Sequence, residues 1–273
     1  MILGALPLPF PFEREYMQLA LLGALVVGAT APLIGTFLVQ KQLSLLGDGI
    51  GHVAFAGVAA GLLLDVWPVW TALVAAVSGA IALEWLRSRG HTSGDLALSL
   101  LFYTGIAAGV VLTGLAGALD AGLLTYLFGS ILTMSPSDAA TIGVLAVVIA
   151  SAIALTWRAL FTVVLDEESA RVAGLPVMGL NLALSALTAV TVVAAMRVVG
   201  VLLVAALMVL PVAAAQRVCR SFRSTLLTAS ALGAVAGIAG LVVARLADLA
   251  PGATIVLAAA ALFGGCAVWG QLK

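Results

Sequence analysis

The chain has 273 residues, 63% of them hydrophobic and 9% charged, with 12 basic and 12 acidic side chains. Soluble domains average about 45–50% apolar and about 25% charged residues, so this composition belongs to a polytopic integral membrane protein in contact with lipid. A formal net charge of zero offers no basic footprint for nucleic acid, and Cys219 and Cys266 stand in no metal-binding spacing.

Residues 1–16 read as an irregular lead containing Pro7, Pro9 and Pro11 and ending in Glu13-Arg14-Glu15. The lead lacks the charged start and small-residue cleavage site of a signal peptide. The first apolar run, 17–39, is long enough to span at about 20 residues, and Pro32 inside it predicts a kink. The second span starts in the stretch 47–61 and ends at Leu64; Trp67 and Trp70 beyond it suit an interfacial belt. The third span covers 69–86 and is closed by Arg87, Arg89 and His91; the fourth covers 95–118. Residues 121–134 are apolar but too short to cross and read as a re-entrant segment or half-helix. The fifth span is 139–156, and 158–176 is the longest amphiphilic interruption. Further spans cover 177–196, 198–215 (with Pro211), 226–247 and 253–270. The expected fold is therefore an all-α polytopic bundle of about nine transmembrane helices plus one short half-helix, forming a single domain over 1–273. The basic loops at Arg87/Arg89, Arg158/Arg171 and Arg217/Arg220/Arg223 face the cytoplasm together only if 121–134 does not cross.

Asp48 and His52 sit four residues apart in an otherwise apolar stretch, on one face of a helix. Together they can hold a divalent cation, and an ionisable group inside a membrane segment is expensive enough to suggest function. Two ligands cannot close a coordination sphere, which suits a path that an ion must also leave. Asp48 can equally be a helix N-cap and His52 a hydrogen-bonding contact between helices. Gly47, Gly51, Gly57 and Gly61 have the small-xxx-small spacing of close helix packing, which would bury this helix among others. Lys41 just precedes the helix on the expected cytoplasmic side, which places the pair in the inner part of a path unless the helix starts deeper than hydropathy indicates. In the loop, Asp166 can cap a short helix with acids in its first turn and Gly174 at its end. That segment is either a solvated loop or a docking helix for a cytoplasmic partner. No phosphate-binding loop and no His-Glu-x-x-His motif is present, so ATP hydrolysis would reside on another chain and a zincin-type protease is excluded.

Four stretches in order resemble one family, the membrane permease subunits of bacterial ABC importers for zinc and manganese, the ABC-3 type. The most specific is Leu43-Ser44-Leu45-Leu46-Gly47-Asp48-Gly49-Ile50-Gly51-His52, similar to the family's Gly-Asp-x-x-x-His. The others are Tyr126-Leu127-Phe128-Gly129-Ser130-Ile131-Leu132, then Asp166-Glu167-Glu168-x-Ala170-x-x-x-Gly174, and the stretch from Val198-Val199-Gly200-Val201-Leu202-Leu203 to Leu210-Pro211, Ala213 and Ala214. The resemblance implies a multi-pass protein of the bacterial cytoplasmic membrane that is no enzyme itself. It implies a homodimer, cytoplasmic ABC ATPase subunits and an extracytoplasmic metal-binding protein as partners. Asp48 and His52 would contact the transported zinc or manganese, with no permanent cofactor. Asp166, Glu167, Glu168, Ala170 and Gly174 would form the coupling helix at the ATPase. Gly49 and Gly51, where manganese-type members often carry Ala and Ser, lean the expectation toward zinc. The rival functions are a permease for metal chelates and a stand-alone channel or carrier. A wider path without need of the Asp48–His52 pair marks the former; independence from an ATPase marks the latter.

Overall fold

The structure, a computed structural model, describes residues 14–88, 94–117, 121–130 and 134–271. Eleven α-helices and no strand occur among the described residues: α1 (Glu15–Gln40), α2 (Leu46–Leu63), α3 (Pro68–Ser88), α4 (Gly94–Ala116), α5 (Ala121–Phe128), α6 (Pro136–Leu165), α7 (Glu167–Val172), α8 (Val177–Ala195), α9 (Val204–Val218), α10 (Phe222–Leu246) and α11 (Pro251–Gln271). Eight are long and apolar enough to cross a membrane: α1 to α4, α6, α8, α10 and α11. The expected half-helix is α5, whose eight residues rise only about 12 Å. Arg89, His91, Ile131, Leu132 and nearly all of the N-terminal lead lie outside the described residues.

Two boundaries differ from the sequence expectation. α6 continues to Leu165, so Arg158 lies on a helix and the amphiphilic interruption shrinks to the short α7 and its flanks. A continuous helix is favoured because Trp157 and Phe161 pack with Phe37 of α1 and Phe222 of α10, at ring separations of 4.9 to 6.2 Å. The span expected at 198–215 begins at Val204 instead. Residues 196–203 form turns, and Gly200 takes a left-handed φ of +89°. This turned segment pairs with the half-helix: Val201 donates its N–H to the Tyr126 carbonyl (2.9 Å) and Ser130 to the Arg197 carbonyl (3.4 Å). Part of one expected span is thus exchanged for a buried irregular stretch whose polar backbone is satisfied partly by its own turns and partly by α5, as a membrane interior requires.

Helices α1, α2 and α8 are the most enclosed, and α4 and α11 the most peripheral. Outward side chains such as Val74, Val111, Leu115, Leu155 and Leu257 are apolar and exposed, which suits a surface in lipid. Pro32 lies inside a continuous α1. Its missing N–H frees the Gly28 carbonyl, and Gly28 lies backbone to backbone against Gly233 of α10. Ser230 of α10 also donates to the Ala29 carbonyl. The aromatic cluster puts the ends of α1 and α6 and the start of α10 at one end of the bundle. Lys41, Arg87, Arg171 and Asn181 gather at that same end. The three basic loops therefore share one side, as the positive-inside expectation requires.

Candidate functional site: a polar pair inside the bundle

Asp48 stands in the first turn of α2 and His52 one turn later. Both line a cavity of about 440 Å³ between α2 and α4, together with Asp95, Ser99, Phe102 and Tyr103. No other described residue forms a hydrogen bond or ion pair with either side chain. His52 does meet the Phe102 ring at 4.3 Å and 72°. Among the described residues no group of three or more His, Cys, Asp and Glu is close enough to hold a metal. Asp48 and His52 thus present one carboxylate and one imidazole to a cavity that Asp95 also lines.

The depth of the pair follows from packing. Gly47 lies against Ala205, and a Cβ on Gly51 would come within 3.1 Å of the Val201 carbonyl. Asp48 and His52 are therefore level with the start of α9. From there α9 runs fifteen residues to Val218, a rise of about 22 Å. The pair sits well inside the bundle, because α2 begins deeper than α1 ends. Gly57 and Gly61 face α3 instead, close to Thr71, Ala72 and Pro68, so all four glycines serve close packing.

At the basic end, Asp166 caps α7 by accepting from the N–H groups of Glu168 (2.9 Å) and Ser169 (3.2 Å). Gly174, at φ +77°, and Leu175 close the helix by donating to the carbonyls of Arg171 and Ala170 at 3.1 and 3.0 Å. Ala170 is fully buried and seats the helix on the bundle, while Glu168 and Val172 face outward. Glu167 pairs with Lys41 at 2.6 Å and accepts from Asn181 Nδ2 at 3.1 Å; Lys41 also bonds Asn181. This triangle joins α7 to α8 and to the turn between α1 and α2. The Ser169 hydroxyl and backbone hold the Asp166 carboxyl below its ordinary range. Burial pushes Glu167 upward, but Lys41 and Asn181 overcome it and leave that carboxyl lowered as well. Lowered carboxylates stabilise above their unfolded pKa values and lose that contribution as pH falls through the folded ones. Hydrogen exchange across 166–175 is therefore expected to stay flat from roughly pH 8 to 5, after correction for intrinsic rates, and to rise below about pH 4. A rise already at neutral pH would contradict the capping geometry.

Sequence reasoning missed several buried charges. Asp138 and Arg197 form an ion pair at 2.8 Å at the opposite end, with Arg197 also 4.9 Å from the Tyr126 ring centre. Asp138 additionally accepts from Ser135 in a capping box. Glu84, inside α3, pairs with Arg87 at 3.1 Å. Each was visible as an acid or base within or beside an apolar run, but its partner lies 59 residues away in the first case. Arg197→Met leaves a buried carboxylate without its cation and is expected to cost about 3 kcal/mol. Adding Asp138→Leu is expected to recover part of that in the thermal midpoint of the detergent-extracted protein. Equal midpoints for the single and double variants would contradict this.

An apolar helical bundle enclosing a polar acid–imidazole pair, with a capped helix at its basic end, defines a multi-pass membrane protein. Residues 13–268 match the ABC 3 transport family, and the chain belongs to that family. It is 31% identical over 173 residues to the high-affinity zinc uptake system membrane protein ZnuB of Haemophilus influenzae, covering 63% of this chain and 66% of that protein. It is 32% identical over 175 residues to the manganese transport system membrane protein MntC of Halalkalibacterium halodurans, covering 63% and 59%. The chain thus spans 59% to 66% of the length of these curated relatives. A solved structure of PsaBC from Streptococcus pneumoniae in complex with Fab matches 96% of this chain and 96% of its own at 29% identity, with a TM-score of 0.84.

Proposed function

We propose that the chain is the membrane permease subunit of an ATP-driven importer for a divalent transition metal, with zinc as the foremost ion. The observation that carries this is the Asp48–His52 pair, deep in the bundle, facing a cavity and unpaired with any described side chain. A carboxylate with an imidazole suits zinc, and also manganese or iron; relatives are named for zinc and for manganese alike. Two donors hold an ion only weakly, and release is part of transport.

The cavity is bordered by Tyr103, which is 69% exposed on a peripheral helix. Carboxylates opening toward lipid are costly, so a second copy of the chain closes this face and supplies the missing donors. The helix α7, with Asp166, Glu167, Glu168, Ala170 and Gly174, is the dock for a cytoplasmic ABC ATPase. A metal-binding protein on the other side delivers the ion. The complex lies in a bacterial cytoplasmic membrane, and this chain hydrolyses nothing itself.

The test is uptake of labelled zinc, manganese and iron by the complex of this chain with its ATPase and binding protein, reconstituted in vesicles. ATP-dependent accumulation of at least one ion is expected, zinc fastest. Uptake independent of ATP would indicate a carrier, and uptake of chelates alone would indicate the chelate class. Either result would overturn the reading.

A further inference from the structure

We infer that Phe102 is the positioning residue that holds the His52 imidazole in its ligating orientation. This rests on the reading of His52 as a ligand of the transported ion. Metal-binding histidines usually have their second ring nitrogen fixed by a carboxylate or carbonyl. His52 has no such hydrogen bond among the described residues. What confines it is the Phe102 ring, whose centre lies 4.3 Å from the imidazole centre at an interplanar angle of 72°.

The position of Phe102 is set by close contact of α4 with α2 on both sides. Three residues on, Gly105 presses against α2 so closely that a Cβ there would lie 2.8 Å from Val53 N and 2.9 Å from the His52 carbonyl carbon. Four residues back, Leu98 covers Gly49, where a Cβ would meet its Cδ1 at 2.8 Å. These contacts bracket the ring pair, and among the described helices α2 and α4 pack together most extensively. Phe102 also packs edge-on against Tyr103 at 5.6 Å. The α4 backbone is therefore fixed opposite His52, and the half-buried Phe102 ring covers one side of the imidazole.

An aromatic neighbour orients the imidazole without using a ring nitrogen. No described residue takes up Nδ1 or Nε2, so both stay available to an ion, and no described residue raises ligand basicity through a hydrogen bond. A ligand held by shape alone is well placed to bind and then let go, as a transport path demands. Packing alone would explain a large apolar residue at this position, but it would be satisfied by any side chain of similar volume. Orientation requires the ring.

The experiment compares Phe102→Leu and Phe102→Tyr in the reconstituted complex, with zinc uptake measured against the concentration of zinc-loaded binding protein. Phe102→Leu is expected to lower the maximal rate per folded complex about 10-fold, the lower range for losing a residue that orients a metal ligand. The KM for the loaded binding protein stays unchanged, because docking occurs elsewhere. Phe102→Tyr keeps the ring and is expected to retain the wild-type rate. If Phe102→Leu extracts poorly, Phe102→Met serves as the variant without a ring. A wild-type rate in the ringless variant, or a Phe102→Tyr variant as slow as it, would overturn the inference. His52→Ala separates the two readings. If it transports normally, the ligand reading fails; if it is inactive while Phe102→Leu is normal, only the role of Phe102 fails.

Discussion

Asp48→Asn is expected to reduce ATP-driven zinc uptake at least about 10-fold, and His52→Ala to do the same, because each removes one of the two donors that α2 presents to the cavity. Asparagine keeps the size of the side chain, and its neighbours Gly47 and Gly49 are packed against Ala205 and Leu98 rather than against the carboxylate. The fold and the membrane level should therefore persist. What is lost is the negative charge that offsets a dication deep in the bundle, where few other charges are available. The double variant is expected to be no worse than the more severe single one, since two donors to one ion act as a unit. Initial rates of labelled zinc uptake, normalised to the amount of permease in the membrane, decide the matter. Near-normal uptake by either single variant would remove the pair from the transport path.

Local patterns in the chain announced most of this fold. Eight apolar runs became helices able to cross a membrane, and the short run after Asp120 became the half-helix α5. The α7 helix was legible to the residue, because Asp166 at one end and Gly174 at the other have specific backbone roles. The spacing of Asp48 and His52 placed them on one face, and the cavity bears that out. What stayed hidden depended on distant partners. Nothing near Arg197 points to Asp138, and nothing near Lys41 points to Glu167 or Asn181. The turned segment 196–203 was hidden for a related reason. Its residues Val198, Val199, Val201, Leu202 and Leu203 read as helix by hydropathy, and the irregular backbone is tolerated because local turns and the distant α5 together satisfy it. The depth of the pair was equally a matter of packing, set by Gly47 and Gly51 against α9 and the segment before it.

Glu167→Lys is expected to uncouple ATP hydrolysis from transport while leaving the bundle folded. Lys41 is nearly enclosed, with 9% of its side chain exposed, whereas Glu167 is 39% exposed. Breaking a fully buried pair costs about 3–5 kcal/mol; solvent at the Glu167 side reduces this to about 1–3 kcal/mol. That is too little to unfold the protein but enough to release α7 from the α1–α2 turn. The turn matters because it runs from Lys41 through Leu45 directly into α2, with Asp48 in its first turn. A shift of α7 driven by an ATPase would pull on Lys41 and thereby on the start of the helix that carries Asp48 and His52. With two lysines facing each other, α7 can still dock through Glu168 and Val172 on its outer face. The motion would no longer reach α2. The expected signature is retained ATPase activity with several-fold fewer zinc ions imported per ATP. Exchanging the charges, Lys41→Glu with Glu167→Lys, restores the pair in reverse and should recover part of the ratio, although Asn181 was arranged for the original order. An unchanged ratio in Glu167→Lys would show that force reaches α2 by another route, and a charge exchange no better than the single variant would show that the pair is not the link.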